Sequence, residues 1–420
     1  MTAGWRRADW LALAAVLAFG AVIRIALLPS EGLRGDLDQF VGWVHHIATR
    51  GVGSLYSGTD AGPVTFGPVM AHVWSVLAAV QPAFATVTDA SDPGIRMLMK
   101  LPASIADVGV GLLAAFALRD RPRWAVVAAG AIILHPAVFY VSAWWGQYES
   151  IFMLSGLGAV VAALNGRNGL AAALLAAALM TKPQAIPFLI PFAAWFWAQG
   201  YRHGEVRGAI LAVARAALAG LGVSAALWLP FLATGGPMAY LDNLSTYQNE
   251  IFNVLSLRAW NPWWLLQEAA AGGDFIRDDI AFAGPLKLRH VGYLVTGGLS
   301  LVIGWAIVRD ARPQTFVLGL VASVLVVFTF MTQMHERYAY AALILLVVLL
   351  PTTRVRQVWL AFGALFTLNL VAAIPPTPTV GALLPIDGPL GIAGSLGMAG
   401  LTVALLVWVT VRRHASHEGP

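Results

Sequence analysis

The stretch 9–28, DWLALAAVLAFGAVIRIALL, decides the fold. Apart from Asp9 at its edge and Arg24 inside, it is an unbroken apolar run of about the length that crosses a hydrocarbon core as a helix. It does not alternate as a membrane barrel strand would. Working outward, comparable runs lie near 98–118, 124–141, 149–165, 168–181, 184–199, 209–232, 289–308, 315–333, 338–351, 357–374 and 390–411. The pattern predicts an all-α integral membrane protein, a polytopic bundle of about 12 transmembrane helices, with residues 1–420 forming a single polytopic membrane domain. Composition agrees: 59% of residues are hydrophobic and only 11% charged, and the mean hydropathy is +0.73. A soluble chain of 420 residues needs far more charge. There is no cysteine, which excludes disulfides and thiolate chemistry. The first run lacks a small-residue cleavage site and is read as retained.

Lys and Arg set the orientation. With Arg6 and Arg7 inside, the short loops on that side carry Arg119, Arg121 and Arg123; Arg167; Arg202 and Arg207; Arg309 and Arg312; Arg354 and Arg356; and Arg412 and Arg413. Most acids fall on the other face. The basic excess, a pI near 9.7, is therefore a topogenic signal and not a sign of nucleic-acid binding. Both termini are expected in the cytoplasm. A bacterial inner (plasma) membrane is expected because no eukaryotic targeting signal is visible. Residues 67–80, Gly67 to Val80, are apolar but short and bracketed by Pro68 and Pro82. Counting them as a span would put the Arg119–Arg123 cluster outside, so they are placed in the first external loop.

Two external loops, 29–97 and 233–288, are too long to be mere connectors. In the first, Leu37, Phe40, Val41, Val44, Ile47 and Ala48 recur at helical spacing, with Asp38, Gln39, His45 and His46 opposite and Gly51 as a stop. This predicts an amphipathic helix lying on the outer leaflet. In the second, Tyr240, Tyr247, Trp260, Trp263 and Trp264 suit aromatic anchoring at the membrane surface.

The polar signatures each carry two readings. Asp36-x-x-Gln39 fits a capping box, and Asp36 also fits a general base. Asp36-x-Asp38 has the spacing of a metal-binding pair, but no third ligand accompanies it and no metal is expected. In Trp144-Trp145-Gly146-Gln147-Tyr148-Glu149-Ser150, the aromatics are ordinary interface anchors, whereas Gln147 and Glu149 beside an apolar run are not. Lys182, within Thr181-Lys182-Pro183-Gln184, either snorkels to water or holds a phosphate. His335-Glu336-Arg337 is either a solvated turn or a phosphate site beside the membrane. Arg24 and Asp107 lie within or near spans, where ionisable groups are functional candidates unless they pair with each other or with backbone.

The charge rule knows nothing of chemistry, yet it puts Asp36, Gln147, Glu149, Lys182, His335 and Arg337 on the same external side. No Gly-rich phosphate loop with Lys and Ser/Thr is present. ATP and nucleotide sugars are lacking on that face, so a group transfer there needs a donor that travels in the membrane.

At these residues the chain resembles the class C glycosyltransferases (GT-C), the polytopic family that uses polyprenyl-phosphate sugars. Within it, the chain is similar to the lipid-linked-oligosaccharide glucosyltransferases of the endoplasmic reticulum, and closer to bacterial relatives of the GPI-anchor mannosyltransferases. The matching pieces are Gly35-Asp36, the helix through Trp43 and Tyr56, MLMKLPASIAD at 97–107, WWGQYES at 144–150, TKPQA at 181–185 and HER at 335–337. Asp38 stands where the glucosyltransferases tend to have Glu, and Arg337 where they tend to have Lys. Their tyrosine-proline-proline segment appears only as Phe66-Gly67-Pro68. The sugar, mannose or glucose, and the acceptor, a glycan, glycolipid or protein, stay open.

The resemblance implies transfer of a hexose from a polyprenyl-phosphate donor to an acceptor hydroxyl. Asp36 would be the general base, and His335, Arg337 and Lys182 would bind the donor phosphate. Asp38, Gln147, Glu149 and Trp145 would bind sugar or acceptor. Direct attack with one base implies inversion, with no cofactor. The rival class is a transporter or flippase for a lipid-linked or anionic substrate, which inverted repeats would favour. No repeat between the halves is visible. A third reading, a scaffold subunit, does not require acid and cations to share a side.

Overall fold

The structure is a computed structural model describing residues 4–201 and 204–411; the basic positions Arg202, Arg412 and Arg413 lie outside the described residues. Among the described residues, seven helices are long and apolar enough to cross a membrane: Arg7–Leu27, Pro93–Ala117, Val206–Thr234, Leu288–Arg309, Pro313–Phe330, Thr353–Ala373 and Gly388–Val411. These helices make the chain an integral membrane protein. An eighth crossing is possible through Pro122–Ile133 and Pro136–Trp145, a pair bent by 44°. The remaining four expected spans are the helices Glu149–Leu164, Asn168–Leu179, Leu189–Gly200 and Tyr340–Val347, of 16, 12, 12 and 8 residues. At a rise of about 1.5 Å per residue, none reaches the roughly 30 Å of a hydrocarbon core. The expected count of about twelve is thus not confirmed: by length and composition, seven of the described helices suit a crossing, or eight with the bent pair.

The breaks are written locally. Pro136 follows His135, whose side chain accepts from the Ala137 N–H and so stands in for a helix bond. Pro183 lacks an N–H, and Lys182 before it is extended (φ −156°, ψ 137°), so Asn168–Leu179 stops and a 3-10 turn, Pro183–Phe188, begins. Such breaks put polar residues inside the bundle, where continuous helices would have kept them at its ends.

Pro313–Phe330 is the central helix, buried along most of its length, and Tyr340–Val347 is buried throughout. Val206–Thr234 is peripheral, with few of its residues buried. Arg24 and Asp107 pair inside the bundle: Arg24 Nε and Nη2 lie 2.9 and 2.8 Å from Asp107 Oδ2. Ser142 and Ser150 also donate to that carboxylate. Of the two readings open for this pair, mutual pairing is the one realised.

The helix Arg34–Arg50 does not rest on lipid. His46, from its expected polar side, is buried, and so are Leu37, Phe40, Val41, Trp43, Val44 and Ile47. They pack against Pro68–Val80, Phe66 and Tyr148 in a second hydrophobic core. Pro68–Val80 is a 13-residue helix within this core, too short to cross a membrane. The second loop docks on the first: Tyr56 contacts the ring of Tyr240, as well as Trp228 and Phe231 at the end of Val206–Thr234. Tyr240, Trp260 and Trp264 are therefore interior residues and not surface anchors. The second loop also joins the HER turn, with Ser256–Leu257 running parallel to Met334–His335.

Candidate functional site

The site is assembled around a sharp turn. The bent pair ends in a π-helical turn, Tyr140–Trp145, closed by Gly146 in the left-handed region at φ 98°. A Cβ on Gly146 would lie 2.5 Å from Leu37 Cδ2, so glycine also lets the helix Arg34–Arg50 come close. Lys100, fully buried, clamps this turn from below by donating to Ser30 O and Trp144 O, each at 2.7 Å, and to Ser30 Oγ at 3.0 Å. Sequence reasoning missed this residue. A lysine as the third residue of the apolar run 98–118 was the available signal.

The turn aims two neutral donors at one carboxylate. Trp145 Nε1 donates to Asp36 Oδ2 at 3.0 Å, and Gln147 Nε2 donates to the same oxygen. The helix starts at Arg34 with Leu33 as its N-cap, so Asp36 lies within the first turn and its carboxylate is not capping. Gln39 bonds Ala61 O and the Tyr247 hydroxyl, so the capping box is not formed. Asp38 takes a different set of partners, the Ala90 N–H at 2.8 Å and Arg34 at 3.1 Å. It is not among the residues lining the cavity described below, and Asp36-x-Asp38 does not converge as a ligand pair. Among the described residues, no group of three or more His, Asp and Glu side chains is arranged to hold a metal.

Gln147 faces two ways. Its Oε1 accepts from Lys182 Nζ at 3.2 Å, so one amide joins the carboxylate of Asp36 to the ammonium of Lys182. Lys182 Nζ lies 2.6 Å from Glu149 Oε1, and Arg337 Nε approaches the same oxygen at 3.3 Å. Arg337 also donates to Glu336 Oε1 at 3.0 Å, and its guanidinium stacks over Trp145 at 5.0 Å. His335 Nδ1 lies 3.2 Å from Arg337 Nη1. Burial lowers the Lys182 ammonium to about 8, against the pull of Glu149. Burial, with Arg337 and Lys182 nearby, holds His335 neutral, well below its ordinary range.

The HER turn is itself braced. Gln333 sits at φ 64°, and its side chain reaches Asp278 Oδ2 at 2.8 Å and Gln248 O at 2.9 Å. Asp278, fully buried, also accepts from Thr332 at 2.7 Å and pairs with Arg289 at 2.6 Å. Arg258, beside Leu257, is at φ 63°. These are the two non-glycine residues with positive φ among those described, and both flank the strand pair that carries His335. Strain of this kind persists where neighbours over-determine the backbone, often at functional sites.

Asp36, Gln147, Lys182, His335 and Arg337 all line one cavity of about 390 Å³. Glu149 and Trp145 stand behind this lining and hold it. Ile186, Pro187, Val324, Val327 and Phe252 give the same cavity an apolar part of its lining.

No family model and no curated protein matches the chain. Among solved structures it is similar to the Archaeoglobus fulgidus oligosaccharyltransferase in the apo form, with a TM-score of 0.45 and 14% identity over 95% of this chain and 55% of that one. It is similar to the Archaeoglobus fulgidus oligosaccharyltransferase tethered to an acceptor peptide containing the NVT sequon (TM-score 0.44, 15% identity, 95% and 54% covered). The archaeal oligosaccharyltransferase AglB from Archaeoglobus fulgidus, in complex with an inhibitory peptide and a dolichol-phosphate, gives a TM-score of 0.44 and 13% identity over 95% and 55%. The chain spans about half the length of these structures.

Proposed function

We propose that this protein is a membrane glycosyltransferase that moves a hexose, mannose or glucose, from a polyprenyl-phosphate donor to an acceptor hydroxyl on the non-cytoplasmic face. One observation carries the reading: Gln147 touches both Asp36 and Lys182, so a carboxylate and a cationic cluster meet within one amide's width at a cavity with a partly apolar lining. A general base and a phosphate site are what displacement at a lipid-phosphate sugar requires.

The acceptor oxygen attacks the anomeric carbon while Asp36 takes the hydroxyl proton. The bond from that carbon to the phosphate oxygen breaks, and the lipid phosphate leaves with the electron pair. Arg337 and Lys182 offset the charge that grows on it. Glu149, in contact with both cations, offsets their mutual repulsion, and His335 remains a neutral hydrogen-bonding group. Trp145 and Gln147 fix the base by hydrogen bonding to one of its oxygens, a requirement for near-attack geometry. Each methylene of the prenyl chain buried on the apolar part of that lining contributes about 0.8 kcal/mol.

The test is transfer in proteoliposomes from a panel of labelled polyprenyl-phosphate hexoses to a membrane glycan extract, with nucleotide hexoses as the contrast. Transfer from a lipid-phosphate hexose alone supports the reading. Movement of the lipid across the bilayer without transfer supports a flippase instead.

A further inference from the structure

Of the aromatic residues of the second loop that suit membrane anchoring by sequence, Tyr240, Trp260 and Trp264 are buried and Tyr247 and Trp263 half-buried, yet the loop does expose large apolar side chains elsewhere. Phe275, Ile280, Phe282 and Leu286 are all exposed, Phe282 by 62%. They belong to, or lead into, a small hairpin in which Ala281–Ala283 pairs antiparallel with Leu286–Lys287. The seven residues from Ile280 to Leu286 carry no charge, and Arg277 and Asp279 just before them neutralise each other at 2.8 Å. A lone two-stranded hairpin is marginal in water, and an apolar one with open edges is an aggregation hazard.

The hairpin is fixed in place. Its second strand runs without a linker into Leu288–Arg309, one of the membrane-crossing helices. Its base is stitched to the first turn of that helix by Leu288 N–H to Ile280 O and Arg289 N–H to Asp278 O, both at 3.0 Å. The Asp278–Arg289 ion pair adds a buried tether. Three extended residues reach roughly 10 Å, so the tip cannot leave the zone next to the helix end. That zone is the boundary between hydrocarbon and water, where apolar side chains insert about 5–10 Å. The same helix turns Leu294 and Leu301 outward, each 66% exposed, onto its lipid-facing side.

We propose that the hairpin 281–287, with Phe275 and Ile280 at its base, is a bilayer-docking element whose apolar side chains sit in the interfacial layer, continuous with the lipid-facing surface of Leu288–Arg309. The occupant of this surface is lipid. This does not depend on the enzymatic reading.

The absence of cysteine makes the test clean. Phe282→Cys, Leu294→Cys and Asp60→Cys variants of the full chain are labelled with an environment-sensitive fluorophore and reconstituted in phosphatidylcholine nanodiscs. Leu294 serves as the lipid control, and Asp60, 95% exposed, as the water control. Quenching is compared between nitroxide-bearing lipid and aqueous iodide. The expected result is that position 282 follows 294, quenched several-fold more by the lipid nitroxide than by iodide. Behaviour like position 60 overturns the proposal. So does efficient 282-to-282 cross-linking between copies, which would assign the surface to a second copy of the chain.

Discussion

Glu149→Gln removes the carboxylate that Lys182 and Arg337 share, at 2.6 and 3.3 Å, while keeping the shape of the side chain. Glu149 and Lys182 are almost fully buried, so water cannot take over the lost charge. Removing one partner of a buried ion pair costs about 3–5 kcal/mol, because the remaining charge is left uncompensated. Here that charge has an outlet. Burial brings Lys182 from an ordinary 10.5 to about 8, a fall worth about 3 kcal/mol in favour of the neutral amine, and Glu149 is the strongest influence opposing it. Between about pH 8 and 10.5 the unfolded chain holds a proton at this lysine that the folded chain does not. Stability contributed at this site therefore rises with pH across that window. Below it, the parent has a charged Lys182 attracted to Glu149. Well above it, only Arg337 is left for Glu149 to balance. The variant should be less stable by about 3–5 kcal/mol at pH 6.5, with a deficit that narrows at pH 9.5. Denaturant unfolding of both proteins in the same detergent, at the two pH values, measures it. A deficit equal at both pH values, or below about 1 kcal/mol at pH 6.5, would refute the shared-carboxylate reasoning.

Asp107→Asn should cost about 3–5 kcal/mol of stability, because it strands a buried Arg24 guanidinium; unfolding in detergent checks this. Gly146→Ala should destabilise by about 1–3 kcal/mol and depress transfer, through its left-handed backbone and the Leu37 clash. Gly35→Ala, where a Cβ meets open space inside a helix, should be no less stable than the parent, and up to about 1 kcal/mol more, when both variants are melted side by side. Because His335 is held neutral well below its ordinary range, the ratio of parent to His335→Gln transfer rates should stay flat from pH 6 to 7.5. A ratio that climbs steeply through that interval in a pH–rate comparison contradicts a neutral His335.

Much of this was legible in the chain because hydropathy and helical spacing are local properties. Every expected apolar run contains a helix, and Pro68–Val80 is a 13-residue helix too short to cross, as its length and flanking prolines indicate. The count of crossings was not legible, because apolar runs cut by Pro136 and Pro183 read like full spans although their helices are short or bent. The spacing of Leu37, Phe40, Val44 and Ile47 shows that a face is buried but not by what; the cover is Trp74 and its neighbours, not lipid. Trp260 and Trp264 have the composition of surface anchors and the position of core residues for the same reason. Asp36 and Asp38 are two residues apart, yet a helix turns them roughly 200° from each other, so one faces Gln147 and the other Ala90. Gln333 carried no motif, and Lys100, although inside MLMKLPASIAD, carried no sign of its role. Their roles depend on contacts with Asp278, Gln248, Ser30 and Trp144, far away in sequence.

The central claim, that Asp36 is the base of a sugar transfer, is tested most directly by measuring transfer from a labelled polyprenyl-phosphate hexose with the parent and with Asp36→Asn. Asparagine still accepts from Trp145 and Gln147 but cannot take the acceptor's proton. Donor-dependent transfer by the parent, reduced by about 10²- to 10⁴-fold in a folded variant that still binds the donor, is the predicted result. Transfer within a few-fold of the parent in that same variant would contradict the claim.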